Sequence, residues 1–242
     1  MKVILHADDL GISTKVNTAI FRYMEEGKIT SASILANGPA FAEAACGARN
    51  FPQCSFGVHL NITEFEPLRR PAAWGTLISS EGQFLRIARN RWFDNKLRRS
   101  ILDEWAAQIK RIRQAGIAIT HIDSHHHIHT HIALFSGLKQ LCHSEDIRRV
   151  RPRQTFGARS AVSAWRIDNR LYNRTLHRNF LCVDEFGPFA GFASTKLACN
   201  ASVELMLHPG NPRYEAETQS FAKCVDSDFR RKHECVTYQD LP

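Results

Sequence analysis

Short apolar runs alternating with amphipathic stretches constrain this chain more than any other feature, because that alternation is the pattern of β/α units around a mostly parallel sheet. Lys2–Leu5 predicts a first strand. Ser13 or Thr14 can cap a helix running to about Glu26, where Gly27 suits the left-handed turn that ends a helix. Ser31–Leu35 predicts a second strand, the Ala-rich stretch from Pro39 to Arg49 a helix, and Ser55–Ile62 a third strand. Leu97, Ile101, Trp105, Ile109 and Ile112 recur at three- and four-residue steps, so one apolar helix face is expected between Leu97 and Ala115, closed by Gly116. Ile117–Ser124 then reads as a strand, Ala133–Cys142 as a helix, Arg149–Arg151 as a short strand and Val203–Leu207 as a strand. Residues 65–95 and 153–202 keep neither period and are expected to be insertions of the kind that wall a substrate site. No linker, repeat or low-complexity tract divides the chain. The expectation is one α/β domain over residues 1–242, an irregular (β/α) TIM-like barrel.

Composition narrows the class. A chain of 242 residues can bury its own core without disulfides or a structural metal. Its 43% hydrophobic and 23% charged residues exclude a disordered or fibrous chain. A net charge of +8 allows an acidic partner without requiring one. No apolar run approaches the ~20 residues of a bilayer span, so no transmembrane segment is expected. The opening Met1–Asp9 is too soon charged for a signal-peptide core. Seven cysteines, an odd number without CxxC spacing, suit free thiols in a reducing compartment, and a cytoplasmic location is the expectation. Arg86, Arg89, Arg91, Arg98 and Arg99, then Arg148, Arg149, Arg151 and Arg153, are locally basic. Without a helix-turn-helix, zinc-finger or RNA-binding signature they read as a solvated face, so no nucleic-acid partner is expected. The sequence leaves open whether the chain forms a homodimer.

The chemistry is concentrated in histidine. Six of the twelve histidines fall between His121 and His131, directly after an apolar strand. Strand alternation puts His121, Asp123 and His125 on one side. Three other apolar runs also end in titratable residues, at Asp8-Asp9, His59 and His208. Each has a plain alternative: a helix cap, a satisfied core histidine, a turn residue. The four together point to one site, because all parallel strands of a β/α barrel end on the same face. Imidazole and carboxylate there suit a divalent ion.

These segments resemble the YdjC-like (ChbG/HpnK) carbohydrate deacetylases. Asp8-Asp9-Leu10-Gly11-Ile12-Ser13 with Asn17 is similar to the family's opening, and Gly57–Glu64 is similar to its G-x-H-L-N-L-T-E segment. Thr120–His129 resembles T-H-[LI]-D-S-H-H-H-[VI]-H, and Glu204–Gly210 resembles E-[LV]-M-x-H-P-[GA]. The resemblance implies a metal-dependent hydrolase that removes acetyl groups from N-acetylated sugars, such as chitooligosaccharides or lipid- or phosphate-linked glycans. It implies Asp9, His59 and His125 as ligands of one divalent ion, Zn²⁺ or Mg²⁺ first and Mn²⁺ or Co²⁺ next. It implies Asp8 as general base and His208 as general acid or transition-state stabiliser. Asn61, His127, His129 and Arg151 are expected to contact substrate, with Arg151 also placed to orient Asp8 by a charge pair. A different metal-dependent hydrolase, a phosphoesterase or another amidohydrolase, is the alternative, since His/Asp sites on barrels support several chemistries.

Overall fold

The structure, a computed structural model, describes residues 1–70, 72–86, 93–157 and 163–241. Arg89 and Arg91 of the basic stretch, and parts of both expected insertions, lie outside the described residues.

The strands are β1 (Lys2–Leu10), β2 (Ser31–Ile34), β3 (Ser55–Leu60), β4 (Ile119–Ser124), β5 (Glu185–Pro188), β6 (Ser202–Leu207) and β7 (Glu234–Cys235). All pair in parallel, in the order β4-β3-β2-β1-β6-β5, with β7 beside the start of β1. The helices are α1 (Thr14–Glu25), α2 (Phe41–Ala48), α3 (Asn95–Gln114), α4 (Phe135–Ser144), α5 (Ser163–His177), α6 (Phe189–Phe192), α7 (Glu215–Cys224) and α8 (Ser227–Lys232). Ser13 caps α1 by accepting from the Val16 amide, and Gly27 follows it at φ 67°, as its lack of a Cβ permits. On α3, Ile101, Trp105, Ile109 and Ile112 are all fully buried, the face expected from their spacing.

The expected barrel is present in part. Regular pairing ends at β4 and β5, and single contacts carry the sheet further. Ile122 bridges to Val150, Arg149 bridges to Leu181, and the Thr155 amide donates to the Phe186 carbonyl on β5 at 2.8 Å. The sheet is therefore curled, with residues 149–155 spanning between its edges. The expected strand Arg149–Arg151 is reduced to these isolated bridges.

The strands of the main sheet are buried on both sides, so their alternation separates two interiors. Val3, Leu5 and Ala7 of β1, Val58 of β3, and Val203 and Leu205 of β6 join the main apolar core. The opposite face carries His6, Asp8, Ser31, Ser33, His59, His121, Asp123 and Glu204, all almost or fully buried. Ile4, Val183, Phe186, Met206 and Tyr238 close that face with a second, smaller apolar cluster.

Gly57 shows how tightly this inner face is filled. A Cβ there would overlap His121 Nε2, whose ring stacks on Tyr238 at 3.7 Å. Gly57→Ala is expected to cost about 1–3 kcal/mol of stability, by overpacking. A denaturant melt that superimposes on that of the parent would show that the ring gives way freely.

Candidate active site

The polar inner face opens at the carboxyl ends of β1, β3, β4 and β6, in a cavity of about 400 Å³. Asp8, Asp9, His59, Glu64, His125 and His208 line it, with Arg86 and Arg213 toward solvent. Successive residues of a regular strand point to opposite faces, so Asp8 and Asp9 could not both enter from an ideal β1. The strand breaks register between Ala7 and Leu10, and Asp9 takes a left-handed φ of 69°. Both carboxylates are thereby turned into one cavity. A second distortion follows β4, where His126 and His127 take φ of 53° and 55°. Strained backbone of this kind is concentrated at functional sites, where the surrounding structure must hold it.

Asp9 Oδ1 lies 2.8 Å from His125 Nδ1 and 3.3 Å from His59 Nε2. Ligand atoms about 2.1 Å from a tetrahedral ion are roughly 3.4 Å apart, and with all three atoms within 4.8 Å of one another these side chains could hold a divalent cation after small adjustments. They can also be assigned donors. His59 Nδ1 lies 2.8 Å from Asp123 Oδ1 and 2.9 Å from Ser33 Oγ. With one proton held there, loss of the other would leave the His59 Nε2 lone pair free for an ion bound beside Asp9. On the far side of His125, Nε2 lies 2.8 Å from Glu64 Oε2. Carboxylates behind metal-binding imidazoles fix the ring and its tautomer in this way.

Electrostatics point the same way. Asp8, Asp9, Asp123 and Glu204 are buried together with one guanidinium, that of Arg151. Burial opposes ionisation of Asp9, but hydrogen bonds and charge from His125 and His59 hold its carboxyl well below the usual range. Burial disfavours charge on His59 too, yet Asp123, Asp9 and Asp8 outweigh it and push its imidazole up to about 10. The cluster attracts positive charge, and protonated imidazole supplies it here.

Arg151 is fully buried at the floor. Its guanidinium donates to Asp8 at 2.9 and 2.6 Å and to Glu204 at 2.7 Å, and lies 2.8 Å from Asp123. Burial raises the Asp8 pKa; the charge of Arg151, with smaller contributions from His59 and His208, opposes it and holds the carboxyl below its ordinary value. Tyr238 donates to the other oxygen of Glu204. His208 Nε2 is 3.8 Å from Asp8 Oδ2, and its ring stacks on Tyr214 at 4.3 Å.

The expected ligand trio, the base candidate and His208 are thus brought together. The four expected substrate contacts divide differently. His127 lines the cavity. Asn61 is buried, with its amide donating to Asn37 and to the Glu64 carbonyl and its oxygen accepting from Thr63, so it shapes the loop behind the wall. His129 is buried, faces the Arg151 carbonyl through Nε2 at 3.0 Å, and is pushed down to about 4 by burial. Arg151 meets carboxylates. Asn61, His129 and Arg151 are buried and do not line the cavity, unlike His127. Of the basic stretch around Arg151, Arg148 is exposed, while half-buried Arg149 donates to the Gln239 and Leu241 carbonyls and half-buried Arg153 to Asp168 and Thr130.

Glu64, Asp123, His6 and Glu204 hold the site together and were not singled out as site residues from the sequence. Asp123 had a legible signal, since it shares the inner side of β4 with His125. Glu64 closes the motif that begins at Gly57. His6 and Glu204 gave no sign beyond being polar within apolar strands.

A curled parallel sheet with His and Asp gathered at the carboxyl ends of its strands defines an α/β protein with an enzyme-type site. The chain belongs to the YdjC-like family, whose sequence model, described as YdjC-like protein, matches residues 2–240. A protein of Halalkalibacterium halodurans named carbohydrate deacetylase is 30% identical over 216 residues, covering 86% of this chain and 85% of that one. A carbohydrate deacetylase of Geobacillus stearothermophilus is 38% identical over 138 residues, 57% of this chain and 54% of its own length. Several of the curated relatives are matched over only about half their length, as that one is. Among solved structures, an Enterococcus faecalis V583 protein described provisionally as a cellobiose-phosphate cleavage protein superimposes with a TM-score of 0.78. That likeness covers 98% of this chain and 97% of the other at 22% identity, and it concerns the fold. No helix among the described residues is long and apolar enough to cross a membrane.

Proposed function

We propose that this chain is a metal-dependent carbohydrate deacetylase, hydrolysing the acetamide of an N-acetylated sugar to amine and acetate. The observation that carries the reading is the Asp9–His59–His125 trio beside the Arg151-held carboxylate of Asp8. The names of the curated relatives support it. The substrate is a chitooligosaccharide-like or lipid- or phosphate-linked glycan. The protein is one domain over residues 1–242 of irregular β/α-barrel type, working in the cytoplasm.

Asp9, His59 and His125 would hold one divalent ion, Zn²⁺ or Mg²⁺, with Mn²⁺ and Co²⁺ also suited to the donor set. The chemistry supplied there would be polarisation of the acetamide carbonyl and acidification of water. Asp8, kept ionised by Arg151, receives the proton of the attacking water. His208, close to Asp8 across the cavity, delivers a proton to the departing amine. His127 contacts the sugar at the cavity wall.

Acetate release from N-acetylglucosamine oligomers, with and without chelator, tests the proposal. Release that a chelator abolishes and added divalent ion restores is expected. Release indifferent to exhaustive chelation would remove the ion from the reaction. Arg86 and Arg213 at the rim favour a second reading, phosphoester hydrolysis, which release of phosphate in place of acetate from phosphorylated acetamido sugars would establish.

Protons and metal compete for His59. Because the carboxylates raise that imidazole to about 10, metal affinity is expected to climb as pH rises from about 6 toward 9, by up to about tenfold per unit for each proton displaced. Titration calorimetry in buffers of different ionisation enthalpy would count those protons. An affinity flat across this window would mean that His59 is not a ligand.

A further inference from the structure

A larger hollow, of about 790 Å³, is lined by α5 and by residues 154–157, 184–185 and 194–197. It shares no lining residue with the His/Asp cavity. Arg170 and Arg174 stand one turn apart on α5, and Arg178 continues the four-residue step just past the helix end. Lys196 joins them from a separate segment. All four are exposed, and none has an ion pair or hydrogen bond among the described residues. Asp184 and Glu185 are the carboxylates of the lining, and Asp184 already accepts from the Ser202 amide and hydroxyl at 2.8 Å. The sequence from 158 to 166 contains no Asp or Glu that could neutralise the arginines.

The backbone under this charge is fixed. Asn169 donates to the Gln154 carbonyl at 2.9 Å, and Asn173 makes bonds of 2.8 and 2.9 Å with the backbone of Arg153. Both asparagines are buried, so α5 presents its arginines from an anchored face. The dipole of α5 favours cations in its last turn, which accounts for Arg174 and His177. It accounts neither for Arg170, a turn earlier, nor for Lys196 on another segment. Like charges at this spacing repel, and an anion between them removes the repulsion. Guanidinium forks match phosphate oxygens in pairs. A concavity of this size is in the range of small-molecule sites, about 300–1,000 Å³, which favours a small ligand over a polymer lying on a flat face.

We propose that this hollow is a second ligand site, separate from the candidate active site, that binds the phosphate of a small phosphomonoester through Arg170, Arg174, Arg178 and Lys196. Asp184 and Glu185 are placed to accept from hydroxyls on the same ligand. The assignment stands on charge and shape, whichever bond the His/Asp cluster breaks.

Titration calorimetry of the full chain with glucose 6-phosphate, inorganic phosphate and glucose tests it. Glucose 6-phosphate and phosphate are expected to bind, more weakly as salt rises, and glucose is not. Affinity should fall at least about tenfold in the double variant Arg170→Ala/Arg174→Ala, while chelator treatment and Asp9→Asn leave it unchanged. Lys196→Glu, on a loop, repeats the loss should the double variant fold poorly. Phosphomonoester binding that survives these substitutions, or that vanishes with Asp9→Asn, overturns the proposal. So does binding confined to phosphatidylglycerol vesicles or to a single-stranded oligonucleotide with none to glucose 6-phosphate.

Discussion

Replacing Asp8 by asparagine is expected to lower kcat for acetate release by about 10²–10⁴-fold, the range for losing a general base. Both oxygens of Asp8 are engaged by Arg151, at 2.6 and 2.9 Å, and the Asp9–His59–His125 trio closes without them. The variant should therefore keep its divalent ion, whereas His125→Ala should lose both ion and activity. Asparagine leaves one oxygen for the guanidinium, and Asp123 and Glu204 still balance its charge, so folding should persist. Metal content by mass spectrometry alongside steady-state rates separates the outcomes. Full activity would remove Asp8 from the chemistry, and loss of the ion would make it a ligand.

Arg151→Met should produce the largest loss of stability in the molecule. The guanidinium is fully buried and bonded to Asp8, Asp123 and Glu204. Methionine fills much of the volume but leaves three buried carboxylates without their counter-charge, and breaking a buried pair this way costs about 3–5 kcal/mol. The pH dependence has a definite sign. Arg151 depresses the pKa of Asp8 and Asp123, so its contribution is fully present above the ordinary carboxylate value and is lost as pH falls below it, through the depressed folded-state values. The deficit of the variant, measured by urea unfolding, should shrink toward acid pH. Equal stability at neutral pH would show that the carboxylates are already neutral or hydrated.

Periodic elements were legible in the sequence to within a few residues. The helix expected over Leu97–Ala115 is Asn95–Gln114, and the strand expected over Val203–Leu207 is Ser202–Leu207. Both carry a repeat that burial enforces. β1 extends past the expected Lys2–Leu5 to Leu10, although His6, Asp8 and Asp9 look like the end of an apolar run. They continue the strand because Ser31, Ser33, Asp123 and Arg151 on neighbouring segments satisfy them, and such partners lie 25 or more residues away. The same reason hid the difference between Arg151, locked among carboxylates, and a substrate-facing arginine. The trio of Asp9, His59 and His125 was legible because parallel strands must end together. The left-handed turns at Asp9 and His126 were not, since nothing local demands them.

The position of β1 bears on how the protein is made. The strand bearing both aspartates pairs with β6 and β7, and the ring of Tyr238 seals the space beneath it. The two aspartates must therefore wait for partners far along the chain, on β6, β7 and Tyr238, before their surroundings are closed. Contacts of such long reach slow folding. Until β6 and β7 have joined β1, those carboxylates stay in water, and desolvating them is a cost met only when the sheet closes.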